Sequence, residues 1–175
     1  MRVLVSAASQ HGSTNEIAKA IGEQLTSQGL DVTVAAPAEV GSVTGFDAVV
    51  IGSAVYTGHW QTSAMDLAER VGRESGDRPV WLFSSGPVGN PARKIVQQMG
   101  ADPVDLPKLM TATGAREHRM FAGRLDRRRL RGLQRLSLWL FRGLEGDFRD
   151  WSAIRNWADS IANHLAALKP TTRAG

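Results

Sequence analysis

The chain has 175 residues, 42% of them hydrophobic and 22% charged, with no cysteine and a formal net charge of +4. At roughly 150 residues per domain this length suits one domain, and so ordinary a composition excludes a chain disordered throughout. The absence of thiols excludes disulfides, thiolate nucleophiles, zinc–thiolate centres and iron–sulfur ligation, and is compatible with a reducing compartment.

The first 85 residues alternate between two periodicities. Arg2 to Ala7 (RVLVSA) predicts a short buried strand, and Thr14 to Gln28 places Ile17, Ala18, Ile21 and Leu25 at helical spacing before Gly29 ends the helix. Leu30 to Ala35 predicts a second strand, Ala48 to Gly52 a third, Ser63 to Glu74 a second helix and Pro79 to Ser84 a fourth strand. Continuous apolar strands separated by helices are what a parallel sheet covered on both faces requires. Further on, Pro91 to Met99 reads as a short helix, Ala101 to Gly114 as a Pro-containing connector and His118 to Leu125 as a fifth strand. An arginine- and leucine-rich amphipathic helix is expected over 127–144. A last helix follows from Asp150 to Leu168, with Trp151, Ile154, Trp157, Ile161 and Leu165 on its core stripe. Residues 1–169 thus read as one α/β domain, a three-layer doubly wound sandwich, and 170–175 as a frayed tail. His118 and His164 are expected at the surface.

In such a sheet, ligands bind outside the carboxyl ends of the strands. The first of these loops, Ser9-Gln10-His11-Gly12-Ser13-Thr14, leads directly into a helix; its hydroxyls, its glycine and the positive helix end suit a phosphate dianion. It has no lysine and matches neither the nucleotide-triphosphate nor the dinucleotide glycine pattern. Capping of the helix by Ser13 or Thr14 is the alternative reading of the same residues. The second loop, Ser53-Ala54-Val55-Tyr56-Thr57-Gly58-His59-Trp60, sets two large aromatics and a histidine just after a buried strand, where a flat ring stacked between them would repay their exposure. The third, Ser84-Ser85-Gly86-Pro87-Val88-Gly89-Asn90, is small and polar, so its backbone can approach a planar heterocycle. Each of these two is equally readable as an ordinary turn.

The stretch Ser9-x-His11-Gly12-Ser13-Thr14 resembles the flavodoxin phosphate loop, [ST]-x-T-G-x-T, with Ser9, Gly12 and Thr14 matching and His11 in the place of a threonine. Together with V-V-I-G-S-A-V-Y-T-G-H at 49–59, the later A-G-R-L and D-W-x-x-I-x-x-W-A, the chain is most similar to the flavodoxin-like protoporphyrinogen oxidase family, over nearly its whole length. The resemblance implies a five-stranded parallel sheet in the order 2-1-3-4-5 and an FMN-dependent oxidoreductase that passes electrons from a reduced small-molecule substrate, protoporphyrinogen IX, through FMN to a membrane quinone. A flavodoxin-type electron carrier docking on protein partners is the alternative. It further implies that Ser9, Gln10, His11, Gly12, Ser13 and Thr14 hold the FMN phosphate, that Ser53, Ala54, Tyr56, Thr57, Gly58 and His59 line one side of the ring system, and that Ser84, Ser85, Gly86 and Asn90 line the other.

Charge is concentrated. Between Arg116 and Arg142 nine arginines stand against Glu117 and Asp126, so this stretch carries +7 and the rest of the chain is mildly acidic. Arginines alternating with leucine, tryptophan and phenylalanine suit a helix lying in a membrane surface, with Arg124, Arg127, Arg128, Arg129 and Arg131 facing anionic lipid or an acidic substrate. The same residues are also compatible with an apolar face packed on the sheet and solvated arginines. Nucleic acid is not expected, since no reading motif accompanies the basic stretch. The opening MRVLVSAASQHGS is too soon interrupted for a secretion signal, and no run of 18 apolar residues occurs. The expected location is therefore the cytoplasm, peripheral on the inner face of the membrane. No serine sits in a nucleophile elbow, and no His, Asp and Glu have metal-ligand spacing.

Overall fold

Strand residues of alternating direction feed two separate cores, and this decides the layering. A computed structural model describes residues 1–74, 76–86, 102–125 and 146–168. In chain order its elements are β1 (Arg2–Ala8), α1 (Ser13–Ser27), β2 (Asp31–Ala35), a 3-10 turn at Pro37–Glu39, β3 (Ala48–Tyr56), β4 (His59–Trp60), α2 (Thr62–Glu74), β5 (Val80–Ser85), α3 (Leu106–Thr113), β6 (Glu117–Phe121), β7 (Arg124–Leu125), β8 (Gly146–Asp147) and α4 (Trp151–Leu168). Val3, Val5, Val50, Trp81 and Phe83 project to one side of the sheet and meet Ile17, Ile21 and Leu25 of α1 and Ile154, Trp157, Ile161 and Leu165 of α4. Leu4, Val49, Ile51 and Leu82 project to the other side, against Ala64, Leu67 and Val71 of α2 and Leu106 and Leu109 of α3. Each fully buried Val, Leu, Ile or Phe among them contributes about 1.5–3 kcal/mol.

The main sheet is parallel in the order β2-β1-β3-β5-β6, with β4 folded back antiparallel on β3. Once the short β4 is set aside this is the expected 2-1-3-4-5 order. Gly72 lets α2 and α3 touch: a Cβ there would lie 2.1 Å from the Ala112 carbonyl oxygen. At the far end of the chain, Asp150 caps α4, its carboxylate accepting the Ala153 N–H at 2.9 Å.

Three expectations need correction. The connector from Ala101 to Gly114 contains α3, because Pro107 falls in the first turn, where its missing N–H costs nothing, and Gly114 closes the helix at φ 59°. The fifth strand does not run to Leu125: it ends at Phe121, and Arg124–Leu125 turns away to pair antiparallel with Gly146–Asp147. His118 and His164 are half-buried instead of lying free at the surface. The His118 side chain is 8% exposed, and the His164 ring packs edge-on against Trp81, 5.7 Å between centroids. The helices expected over 91–99 and 127–144 and the tail 170–175 lie outside the described residues, as do Asn90, Arg127, Arg128, Arg129 and Arg131. Among the described residues no helix is long and apolar enough to cross a membrane, and no group of three or more His, Cys, Asp or Glu could hold a metal ion.

Candidate functional site

The register of the sheet gathers the three singled-out loops at one edge. Ala8 pairs with Ser53, and Ala54 with Ser85, so β1, β3 and β5 end side by side. This is the end of an open parallel sheet at which ligands bind.

The first loop turns into α1 through Gly12, at φ 85°, a conformation that glycine adopts without strain. Neither Ser13 nor Thr14 caps the helix. The Thr14 N–H instead reaches back to the Ser9 hydroxyl, 3.2 Å away, while the Ser13 hydroxyl accepts the Arg124 N–H at 3.2 Å. Thr14 is buried, and the His11 ring stands edge-on to Tyr56, 6.3 Å between centroids, which joins the first loop to the second. Burial of Tyr56 pushes its phenol above the usual value.

The second loop is a hairpin, not an open loop. Thr57 (φ 50°) and Gly58 (φ 85°) form the turn between Tyr56 and His59, both with the positive φ that a two-residue hairpin requires. Trp60 does not offer a stacking face: it is 4% exposed, and its indole N–H donates to the Ser84 hydroxyl at 2.8 Å. Ser53 is likewise turned inward, accepting the Gln61 N–H and donating to the Ala54 carbonyl, both at 2.9 Å. The hydroxyls of Ser53 and Ser84 therefore brace the loops. Asp105, just before α3, clasps the hairpin by accepting the Trp60 N–H at 2.9 Å and lying 3.2 Å from His59 Nδ1, and Val104 donates its N–H to the Gly58 carbonyl at 2.8 Å. At the start of the third loop Gly86 (φ 120°) donates its N–H to the Phe121 carbonyl.

Two polar networks support this edge. In the first, Ser84 Oγ lies 2.9 Å from His118 Nε2, and His118 Nδ1 faces Asp102 at 3.6 Å. Burial lowers the His118 pKa, against the opposing pull of Asp102 and Glu117. The second centres on Arg149, whose side chain is 2% exposed. It forks onto Asp147, donates from Nη1 to Glu16 at 2.7 Å and to the Ser13 carbonyl at 3.3 Å, and stacks 4.4 Å from the Trp151 ring. The hydrogen-bonded guanidinium holds the Asp147 carboxyl below the usual carboxylate range, and the two carboxylates raise Arg149.

Residues 4–152 match the family model for the flavodoxin domain. The chain belongs to the flavodoxin family. Among solved structures it is similar to an archaeal flavodoxin, at 15% identity and a TM-score of 0.64, over 95% of this chain and 99% of that one. It is similar also to flavodoxin 1 from Bacillus cereus, at 13% identity and a TM-score of 0.59, over 94% and 99%. It matches 36% of the rubredoxin oxygen:oxidoreductase from Desulfovibrio gigas as well, at 13% identity and a TM-score of 0.64, covering 95% of this chain. At these identities the likeness establishes the fold. No curated protein matches in sequence.

FMN is the cofactor of the flavodoxin family, as the resemblance implied. The residues of this flavodoxin domain fit the group. Hydroxyls and a positive helix end suit a phosphate monoester, and the glycine turns at 58 and 86 bring backbone to the mouth of the sheet. Sequence reasoning missed Asp105, Asp147 and Arg149. Their partners lie far along the chain, 45 residues from Asp105 to Trp60 and 133 from Arg149 to Glu16, so no local pattern announces them.

Proposed function

We propose that this protein binds FMN non-covalently at the ends of β1, β3 and β5 and serves as an electron carrier between protein partners. The observation that carries this reading is the first loop: hydroxyls and backbone amides at the start of α1, set beside the ends of β3 and β5. Ser9, Gln10, His11, Gly12, Ser13 and Thr14 would hold the phosphate. Ala54, Tyr56, Thr57, Gly58 and His59 would flank one side of the ring system, and Ser85 and Gly86 the other, with the Ser53 and Ser84 hydroxyls keeping the loops in place. Bound FMN supplies the electron chemistry, while the chain orients it and shields it from water. Purified protein mixed with FMN should quench flavin fluorescence at a one-to-one ratio and display a shifted flavin absorption band. Unchanged fluorescence at micromolar protein would end this reading.

A second reading is favoured by one observation, the +7 charge between Arg116 and Arg142. Carriers that dock on basic partners present acidic faces, whereas a basic surface beside the flavin suits a substrate with carboxylates and an anionic lipid leaflet. On this reading the protein is an FMN-dependent oxidoreductase at the inner face of the membrane, taking electrons from protoporphyrinogen IX and delivering them to a quinone. Arg124, placed beside the first loop by its backbone bond to Ser13, would stand nearest the substrate, with Arg127, Arg128, Arg129 and Arg131 toward lipid. Porphyrin fluorescence that grows only when quinone is present decides for the enzyme, and a flat trace with FMN bound decides for the carrier.

A further inference from the structure

Arg149 is a buried cation that no flavin chemistry requires, and its partners are informative. It contacts the first residue of α1 through the Ser13 carbonyl, and it faces Glu16, a carboxylate in the first turn of the same helix. Asp147 supplies a second carboxylate through a two-bond fork. Two acidic groups thus lie next to a helix end at which a phosphate dianion is to bind, where they would repel it. Arg149 answers both at once, and its burial fixes it in one place. β7 reinforces the arrangement: Arg124 pairs with Asp147 in register, and the Arg124 N–H is held by the Ser13 hydroxyl.

We propose that Arg149 is a positioning residue for the phosphate group of the flavin. It sets the start of α1 through Ser13 and neutralises Glu16 and Asp147, and it thereby makes the site selective for the phosphorylated flavin over riboflavin. This inference rests on the reading that the first loop holds phosphate. Glu16 and Asp147 remain partly exposed, so their field on the site is reduced by dissolved ions, whereas Arg149 is sealed against them.

The test compares FMN with riboflavin, which lacks only the phosphate, by fluorescence quenching on the full chain. The parent protein should prefer FMN; equal affinity would overturn the phosphate reading and the role of Arg149 together. With that preference in hand, Arg149→Gln should weaken FMN by about tenfold and leave riboflavin within about twofold. An equal loss of both ligands, or none, would overturn the inference and leave the phosphate reading standing. Should Arg149→Gln fail to fold, Glu16→Gln in the parent provides the complementary arm. Removing that carboxylate while Arg149 stays should tighten FMN about threefold at low salt, with riboflavin unchanged. Identical FMN affinity in Glu16→Gln and parent would also overturn it.

Discussion

A methyl group on Gly52 would fall 2.1 Å from the ring of Phe83, which is itself completely buried and packed against Trp157 and Phe121. The ring has nowhere to go, so Gly52→Ala should destabilise the protein by about 1–3 kcal/mol, read as a lower urea midpoint at an unchanged slope. His118 offers a different single-residue handle. Burial lowers its folded pKa below the ordinary value of 6.5, so the unfolded chain binds the proton more readily. Stability is therefore complete above the unfolded value and declines as pH falls from about 6.5 toward the lower folded one. Thermal melting across that window should show the decline, and His118→Asn should flatten it. A slope that persists in the variant would assign it to another group. Neither residue is visible as special in the sequence. Gly52 reads as the end of a strand, and His118 as a polar strand residue, until the fold sets Ser84 and Asp102 around it.

At the scale of an element, the β3–β4 hairpin carries the clearest local cost. A β-branched residue at φ 50° is strained, and Thr57 occupies that position with its hydroxyl bonded to the Tyr56 carbonyl at 2.7 Å. Thr57→Asn should raise stability by about 0.5–1 kcal/mol in the flavin-free protein, because asparagine adopts this conformation more readily. A melting temperature unchanged or lower would mean that the Thr57 hydroxyl bond outweighs the strain. The hairpin also explains a misreading. Aromatics after a buried strand suggest exposure, but Trp60 finds Ser84, 24 residues on, and turns into the core. For α3 the obstacle was Pro107, which suggests a break in a linear reading and is harmless in a first turn.

Over the whole molecule, the doubly wound architecture was legible because apolar strands covered on both faces leave continuous hydrophobic runs, while helices leave a 3.6-residue stripe; both signals are local. The first loop was legible for the same reason, as its residues are consecutive. The Arg149 network was not, since it assembles from Ser13, Glu16 and Asp147, and only the closed fold brings the two ends of the domain together. Charge distribution also belongs to this scale. On the membrane reading, the full chain should co-sediment with anionic vesicles and be released by salt, and replacing Arg127, Arg128, Arg129 and Arg131 with Gln should abolish the binding. A parent protein that stays in the supernatant would remove the lipid surface from the second reading.

The pairing of β7 with β8 has one more implication. Leu125 stands opposite Gly146, so the residues flanking 126–145 lie side by side. Residues 126–145 hold six arginines against Asp126 and Glu145, which is the entire net charge of the protein. A two-residue Asn-Gly turn could bridge that gap. The shortened polypeptide should still fold and take up flavin, yet be electrically neutral overall. Cofactor loading and net charge would then be separable cassettes, one exchangeable without rebuilding the other.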